Sequence, residues 1–299
     1  LHDALPIWIG TDYFSYSSLY YKLNMMDWNI LWNTNFGMEK GYIYLNKILG
    51  MVSNDSQIIF LVCSFITIFL IIKSTVDYSK NYEFSIILFI MLGYYHSSFN
   101  IMRQYIGIVI FLFSIRYVIE KQFLKYLTLI LIASTFHSTA IFLLPIYFVG
   151  NKCYPKIILI FITSLSLFSN YFYEFIITSL LPILSESYSS KYLGSAWFQK
   201  GVDGYFDYCL IAFLYILIMF CLIYKEKLTK YKYGNFCLNM LIISLPLLVL
   251  GTKSLLIFRL SLYFSIFLII LLPMIPGLFG KRFKMIIYCL IIIISSFCF

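Results

Sequence analysis

Ten apolar stretches leave few folds open to this chain: they lie near residues 57–72, 84–96, 101–119, 124–136, 138–149, 156–169, 208–224, 236–251, 256–275 and 285–299, and most lysines gather in the segments between them. Apolar runs of this kind predict helices, which satisfy their own backbone hydrogen bonds where no water can. A soluble domain carries roughly 25% charged residues. Here 12% of the 299 residues are charged and 62% are hydrophobic, a composition that belongs in a bilayer. Several runs fall short of the roughly 20 residues needed to cross one. Short helices are tolerated where protein or a watery cavity covers their ends, so a polar cavity is implied. The expected fold is all-α: a single multipass, polytopic integral membrane domain over 1–299, with about 10 transmembrane or half-membrane helices.

The net charge of +9 does not indicate nucleic acid, because the cations form small clusters and no dense stripe. The seven cysteines include no CxxC pair and no His/Cys ligand spacing, which predicts buried free thiols and no metal. LHDALPI lacks the basic start and apolar core of a signal peptide. Residues 1–8 read instead as a non-native scar joined near Trp8. A membrane segment before Gly10 is then expected to be missing, and the last run to be cut short.

Cation distribution sets the orientation. With 10–55 as an outer loop, 14 of the 22 lysines and arginines fall inside; the other eight are Lys22, Lys40, Lys47, Arg103, Lys191, Lys200, Lys253 and Arg259. Arg103 and Arg259 run against the bias and need a local reason; each stands near the outer start of an apolar helix. The stretch 124–149 is too short for two full crossings. It reads as a hairpin of half-length helices meeting near Ser134, Thr135, His137, Ser138 and Thr139, with a single tilted crossing as the alternative. A second outer loop, 170–206, is expected to close partly over the site.

The polar groups of possible chemical use collect on the outer side. Asn100, Arg103, Gln104 and Gly107 follow i, i+3, i+4, i+7 spacing, which on one helix would share a face. They could form an interhelical hydrogen-bonding stripe with Arg103 snorkelling to the headgroups. As a site, the arginine fork suits a phosphate, with bidentate charge-assisted hydrogen bonds. His137 in FHSTA is either a satisfied core histidine or a group that donates a hydrogen bond or accepts a proton near neutral pH. Asp12 and Glu39 are solvated loop carboxylates or proton acceptors. Tyr13, Tyr16, Tyr20, Tyr21, Tyr42 and Tyr44 make an interfacial aromatic belt, and the same rings could stack on sugar faces.

GTDYFSY, E-K-GYIYLN, FNIMRQYIG, IASTFHSTA and a late FRLSLYF, in that order, resemble the landmarks of the EpsG family, the Wzy-like polysaccharide polymerases. The resemblance spans roughly 10 to 265 and is best over 99–145; LHDALPIW stands where the family has a first membrane helix. It implies a GT-C-like arrangement of the helices as one form of the fold, and glycosyl transfer at the outer face of the cytoplasmic membrane, joining oligosaccharide repeat units carried on undecaprenyl diphosphate into exopolysaccharide, capsule or O-antigen. Arg103 and Arg259 would then stabilise the leaving diphosphate, and Asp12, Glu39 or His137 would accept the proton of the acceptor hydroxyl. Asn100, Gln104, Tyr13, Tyr16 and Tyr42 would contact phosphate or glycan.

No cofactor is expected. The expected partners are the lipid-linked oligosaccharide and membrane lipid, with a flippase and a chain-length regulator alongside. Three other readings fit parts of the sequence. One is a transporter or flippase of lipid-linked oligosaccharides, for which no internal repeat is visible. Another is a membrane O-acyltransferase with His137 as base, which leaves both outer arginines idle. The last is a scaffold subunit of an export complex.

Overall fold

The computed structural model of the chain describes residues 12–34, 36–173, 175 and 205–297, and over these it is helical with no strand. The proposed scar at 1–8 and most of the loop 170–206 lie outside the described residues. The helices are α1 Tyr13–Asn24, α2 Trp28–Asn33, α3 Lys40–Gly50, α4 Gln57–Tyr78, α5 Tyr82–Met91, α6 Tyr94–Asn100, α7 Met102–Ile119, α8 Phe123–Phe136, α9 Ile146–Val149 and α10 Lys156–Ser166. After the undescribed segment come α11 Tyr205–Ile223, α12 Lys225–Leu228, α13 Gly234–Gly251, α14 Leu255–Ser265, α15 Leu268–Leu271 and α16 Lys284–Phe297. They form two compact units, one from Leu1–Asp77 with Phe89–Tyr147, the other from Tyr78–Leu88 with Phe148–Phe299.

Each apolar stretch is largely helical over its described residues, but among the described residues only Gln57–Tyr78, Met102–Ile119, Gly234–Gly251 and Leu255–Leu278 are long and apolar enough to cross a membrane. The other apolar helices, such as the 14 residues of α8, are shorter; at 1.5 Å per residue α8 spans roughly 21 Å, against a hydrocarbon core of about 30 Å. Among the described residues, helix length thus supports four candidate crossings alongside six shorter apolar helices, and the expected count of about 10 transmembrane or half-membrane helices is not confirmed.

In the first unit, α4 is peripheral and α7 central. Leu61, Phe65 and Phe69 recur at i, i+4, i+8 and leave an exposed apolar ridge along α4. On α7 the run from Gln104 to Leu112 is buried. Lys121, at φ 57°, terminates α7: the Gln122 N–H donates to the Tyr117 carbonyl at 2.8 Å and the Lys121 N–H to that of Val118 at 3.3 Å. This left-handed cap redirects the chain into α8.

The expected hairpin is present as a chain reversal. His137 is extended (φ −151°, ψ 112°), and a 3-10 turn, Ser138–Leu143, returns along α8. Tyr126, early in α8, donates its hydroxyl to the Leu143 carbonyl at 2.6 Å, and its ring lies 5.6 Å from that of Tyr147.

The single helix face expected from Asn100 to Gly107 does not form. Asn100 ends α6, Ile101 leaves helical geometry (φ −108°, ψ 48°), and α7 starts at Met102. Arg103, Gln104 and Gly107 share α7 without Asn100.

The segment before α4 is tied down largely by its lysines. Lys40 Nζ donates to the Leu31, Trp32 and Thr34 carbonyls at 2.7, 2.9 and 2.9 Å, closing the C-terminus of α2. Lys47 Nζ does the same for α1, through Asn24 at 2.9 Å and Met26 at 2.7 Å. An ammonium is stabilised by such unpaired terminal carbonyls. Two cations that defy the charge bias are therefore used as helix caps. Leu23, Leu31 and Ile43 close the small core beneath them.

Candidate functional site

Glu39 immediately precedes α3 in extended conformation (φ −71°, ψ 136°), and its side chain does not cap that helix. It reaches instead to the reversal at His137. Oε1 accepts the Ser138 N–H at 2.9 Å and the Ser138 hydroxyl at 3.1 Å. Oε2 accepts Arg103 Nη1 at 2.6 Å, from the first turn of α7. His137 Nδ1 stands 3.6 Å from Oε1, outside hydrogen-bonding length but within reach of charge. The three side chains are 14%, 25% and 23% exposed for Glu39, Arg103 and His137, so the cluster is half-buried and still open to water.

The approach of α3 to α8 depends on Gly41. A Cβ there would lie 2.4 Å from Thr135 Oγ1 and 2.7 Å from the Thr135 carbonyl oxygen. The glycine lets α3 start against the end of α8, which is what brings Glu39 to Ser138.

Burial disfavours the charged carboxylate of Glu39. The Ser138 N–H, Arg103 and His137 together outweigh that cost and hold its pKa below the ordinary value of 4.5. At neutral pH, Glu39 is therefore an anion with three polar neighbours. Arg103 is steadied from its other side by the fully buried Tyr42, whose ring centroid lies 5.8 Å from Cζ, and by Tyr16. The Tyr16 and Tyr42 rings meet edge to face at 5.9 Å.

Of the residues singled out in the sequence, the fold thus joins Glu39, Arg103, His137, Tyr16 and Tyr42. Gln104 is buried beside Arg103 on α7. Asp12 stands at the start of α1, where its carbonyl accepts the Tyr16 N–H at 3.0 Å. Tyr13 belongs to the α1–α4 contact: its ring stacks on Phe60 at 4.6 Å and its hydroxyl accepts from the Gln57 side chain. Asn100 lies across the break at Ile101. Arg259 lies in the second unit, on the fifth residue of α14 and partly exposed. Ser138 and Thr135 had no assigned role. The available signal was their place beside a histidine where an apolar run breaks, which marks a chain end with backbone donors.

Chemically, the cluster is an ionised carboxylate that orients two nitrogenous side chains at a watery opening. A guanidinium has five donors; the bond to Glu39 uses one of them, and the fork remains suited to an anion. An imidazole beside a carboxylate is stabilised when it takes up a proton. Among the described residues no group of three or more His, Cys, Asp or Glu could hold a metal.

An all-helical fold over the described residues, with four candidate crossings, six shorter apolar helices and a half-buried ionic cluster among them, defines a polytopic membrane protein. More narrowly, it belongs to the EpsG family, whose family model matches residues 6–299, nearly the whole chain. Membership points to a polysaccharide-polymerase-like role. No curated protein and no solved structure matches the chain.

Proposed function

We propose that this protein joins lipid-linked oligosaccharide repeat units into a polysaccharide by glycosyl transfer at the outer face of the cytoplasmic membrane, using the Glu39–Arg103–His137 cluster. The observation that most supports this is the convergence of three chemically suited side chains, from three separate elements, in a member of the EpsG family. The donor is an undecaprenyl-diphosphate-linked glycan and the acceptor a hydroxyl of the next unit. As the acceptor oxygen bonds to the anomeric carbon, the bond from that carbon to the diphosphate oxygen breaks. The electron pair leaves with the diphosphate, and the acceptor proton passes to His137.

Arg103 stabilises the diphosphate through donors not used by Glu39. His137, neutral before transfer, is the proton acceptor; Glu39 holds Arg103 by its ion pair and stabilises the imidazolium that His137 becomes. Glu39 is a weaker base than His137, because its oxygens already accept from Ser138 and Arg103 and its proton affinity is lowered. Asp12 and Arg259 remain secondary candidates for the base and the second cation; Asn100, Gln104, Tyr13, Tyr16 and Tyr42 are candidates for orienting the glycan. A flippase would supply the donor, and a chain-length regulator would act on the product.

The test is purified protein in vesicles that carry synthetic lipid-linked repeat units in the leaflet facing the outer side. A ladder of glycans is expected, and Arg103→Lys should abolish it at unchanged protein level, since lysine keeps the charge but loses the planar fork. Movement of units across the bilayer without a ladder would favour a flippase. A normal ladder from Arg103→Lys would end the diphosphate role.

A further inference from the structure

In the second unit, a cavity of about 260 Å³ opens between the start of α10, the end of α11 and α12. Tyr154, Lys156, Ile223, Lys225, Glu226 and Thr229 are among the residues that line it. Lys225 is only 8% exposed, and its ammonium donates to the Tyr154 carbonyl. An ammonium has three donors, and among the described residues no carboxylate lies within 4 Å of this one. A buried cation with a carbonyl partner and no counter-charge is costly unless an anion joins it. Lys156 adds a second, exposed cation at the opening, Thr229 a hydroxyl, and Glu226 a solvated carboxylate.

The surroundings specify what kind of anion fits. Along α10, Ile157 and Phe161 are exposed at i, i+4 spacing, and along α11, Ile216 and Ile223 are exposed at i, i+7. The two helices pack on each other, and Ile223, which ends the α11 ridge, also lines the cavity. A free phosphate would use the cations and leave these ridges unused. A lipid uses both. The cavity's two lysines, Lys156 and Lys225, fall on the side that the charge bias assigns to the cytoplasmic leaflet, where anionic headgroups meet basic pockets at helix ends.

We propose that this cavity binds the phosphate of an anionic glycerophospholipid, with its acyl chains on the exposed faces of α10 and α11. Lys225 and Lys156 take the phosphate oxygens, Glu226 accepts a headgroup hydroxyl, and the Thr229 hydroxyl, which donates to the Glu226 main-chain carbonyl at 3.3 Å, turns from it to the phosphate. The site is independent of the glycosyl-transfer reading and stands or falls separately.

The test titrates phosphatidylglycerol into the purified full chain in nanodiscs of phosphatidylcholine and measures retained lipid by native mass spectrometry. Wild-type protein should retain phosphatidylglycerol in preference to phosphatidylcholine. Lys156→Gln should weaken that retention about tenfold, the loss of one charge-assisted hydrogen bond. Lys225→Met should weaken it at least as much. Lys230→Gln, an exposed lysine on the same side and outside the cavity, should leave it unchanged. If Lys225→Met does not fold, the comparison of Lys156→Gln with Lys230→Gln decides alone. Equal retention of the two lipids, wild-type retention by Lys156→Gln, an equal loss in Lys230→Gln, or inorganic phosphate binding as tightly as the lipid would each overturn the proposal.

Discussion

Glu39 is the residue on which the site depends, and its chemistry has a direction in pH. Its folded pKa lies below the ordinary 4.5, so the stabilisation it supplies is fully present above that value and is lost as pH falls through the folded value. Glu39→Gln removes the charge and leaves Arg103 without its carboxylate. Breaking a buried pair by removing one partner costs about 3–5 kcal/mol, and partial exposure of this one reduces the figure to roughly 1–3 kcal/mol. Thermal unfolding of wild type and Glu39→Gln should differ by a constant amount at neutral pH, and the gap should narrow once the pH drops below about 4.5. A gap that is the same in acid would mean that the carboxylate charge contributes nothing. The residue types of this site were legible in the sequence, where Glu39, Arg103 and His137 were each candidates. That Arg103 and His137 would lie together, each at a helix end, was legible; that Glu39 would join them was not. Positions 39, 103 and 137 share no local pattern, and helical periodicity says nothing of which helix ends adjoin.

The reversal at His137 is the element that delivers two of the cluster's donors, and it was readable because a polar break sits inside an apolar run too short for two crossings. The break at Ile101 was not, since FNIMRQYIG has neither glycine nor proline at or next to that position and its periodicity carries through a break that only the backbone angles reveal. The contact of α3 with α8 was equally hidden, because a glycine in E-K-GYIYLN looks like any helix-start glycine until Thr135 is placed against it. That contact can be tested. Gly41→Ala puts a methyl within 2.7 Å of a backbone carbonyl as well as of the Thr135 side chain. Overpacking of this kind costs about 1–3 kcal/mol, and it should move Glu39 away from Ser138, lowering polymer formation along with stability. Adding Thr135→Ala should rescue only part of the loss, because the carbonyl remains. Wild-type stability in Gly41→Ala alone would show that the two helices separate freely.

For the whole molecule, composition and hydropathy were enough to indicate a helical membrane protein, and the described residues are helical with no strand. The number of crossings was beyond them, because hydropathy reports apolar surface and only helix length reports reach. Sidedness rests on the cation distribution, and two positions test it. Val52, exposed between α3 and α4, falls in the loop assigned to the outside, and Cys153 is an exposed native thiol between Lys152 and Lys156 on the opposite side. In intact cells a membrane-impermeant thiol reagent should label Val52→Cys, whereas Cys153 should react only after permeabilisation. The reverse pattern would put the Glu39 cluster on the cytoplasmic side and remove outer-face chemistry. The glycosyl-transfer reading itself comes down to how Arg103 and His137 divide the work. With purified protein and synthetic lipid-linked repeat units, donor binding and maximal rate can be measured separately for Arg103→Ala and His137→Ala. A guanidinium that holds a permanent anion should affect both quantities, with donor binding weakened at least about tenfold. An imidazole that takes a proton as the new bond forms should lower the maximal rate by about 10²-fold or more at nearly unchanged donor affinity. Equal loss of donor binding in the two variants, with no separate fall in rate for His137→Ala, would contradict the assignment and leave His137 as part of the cavity wall.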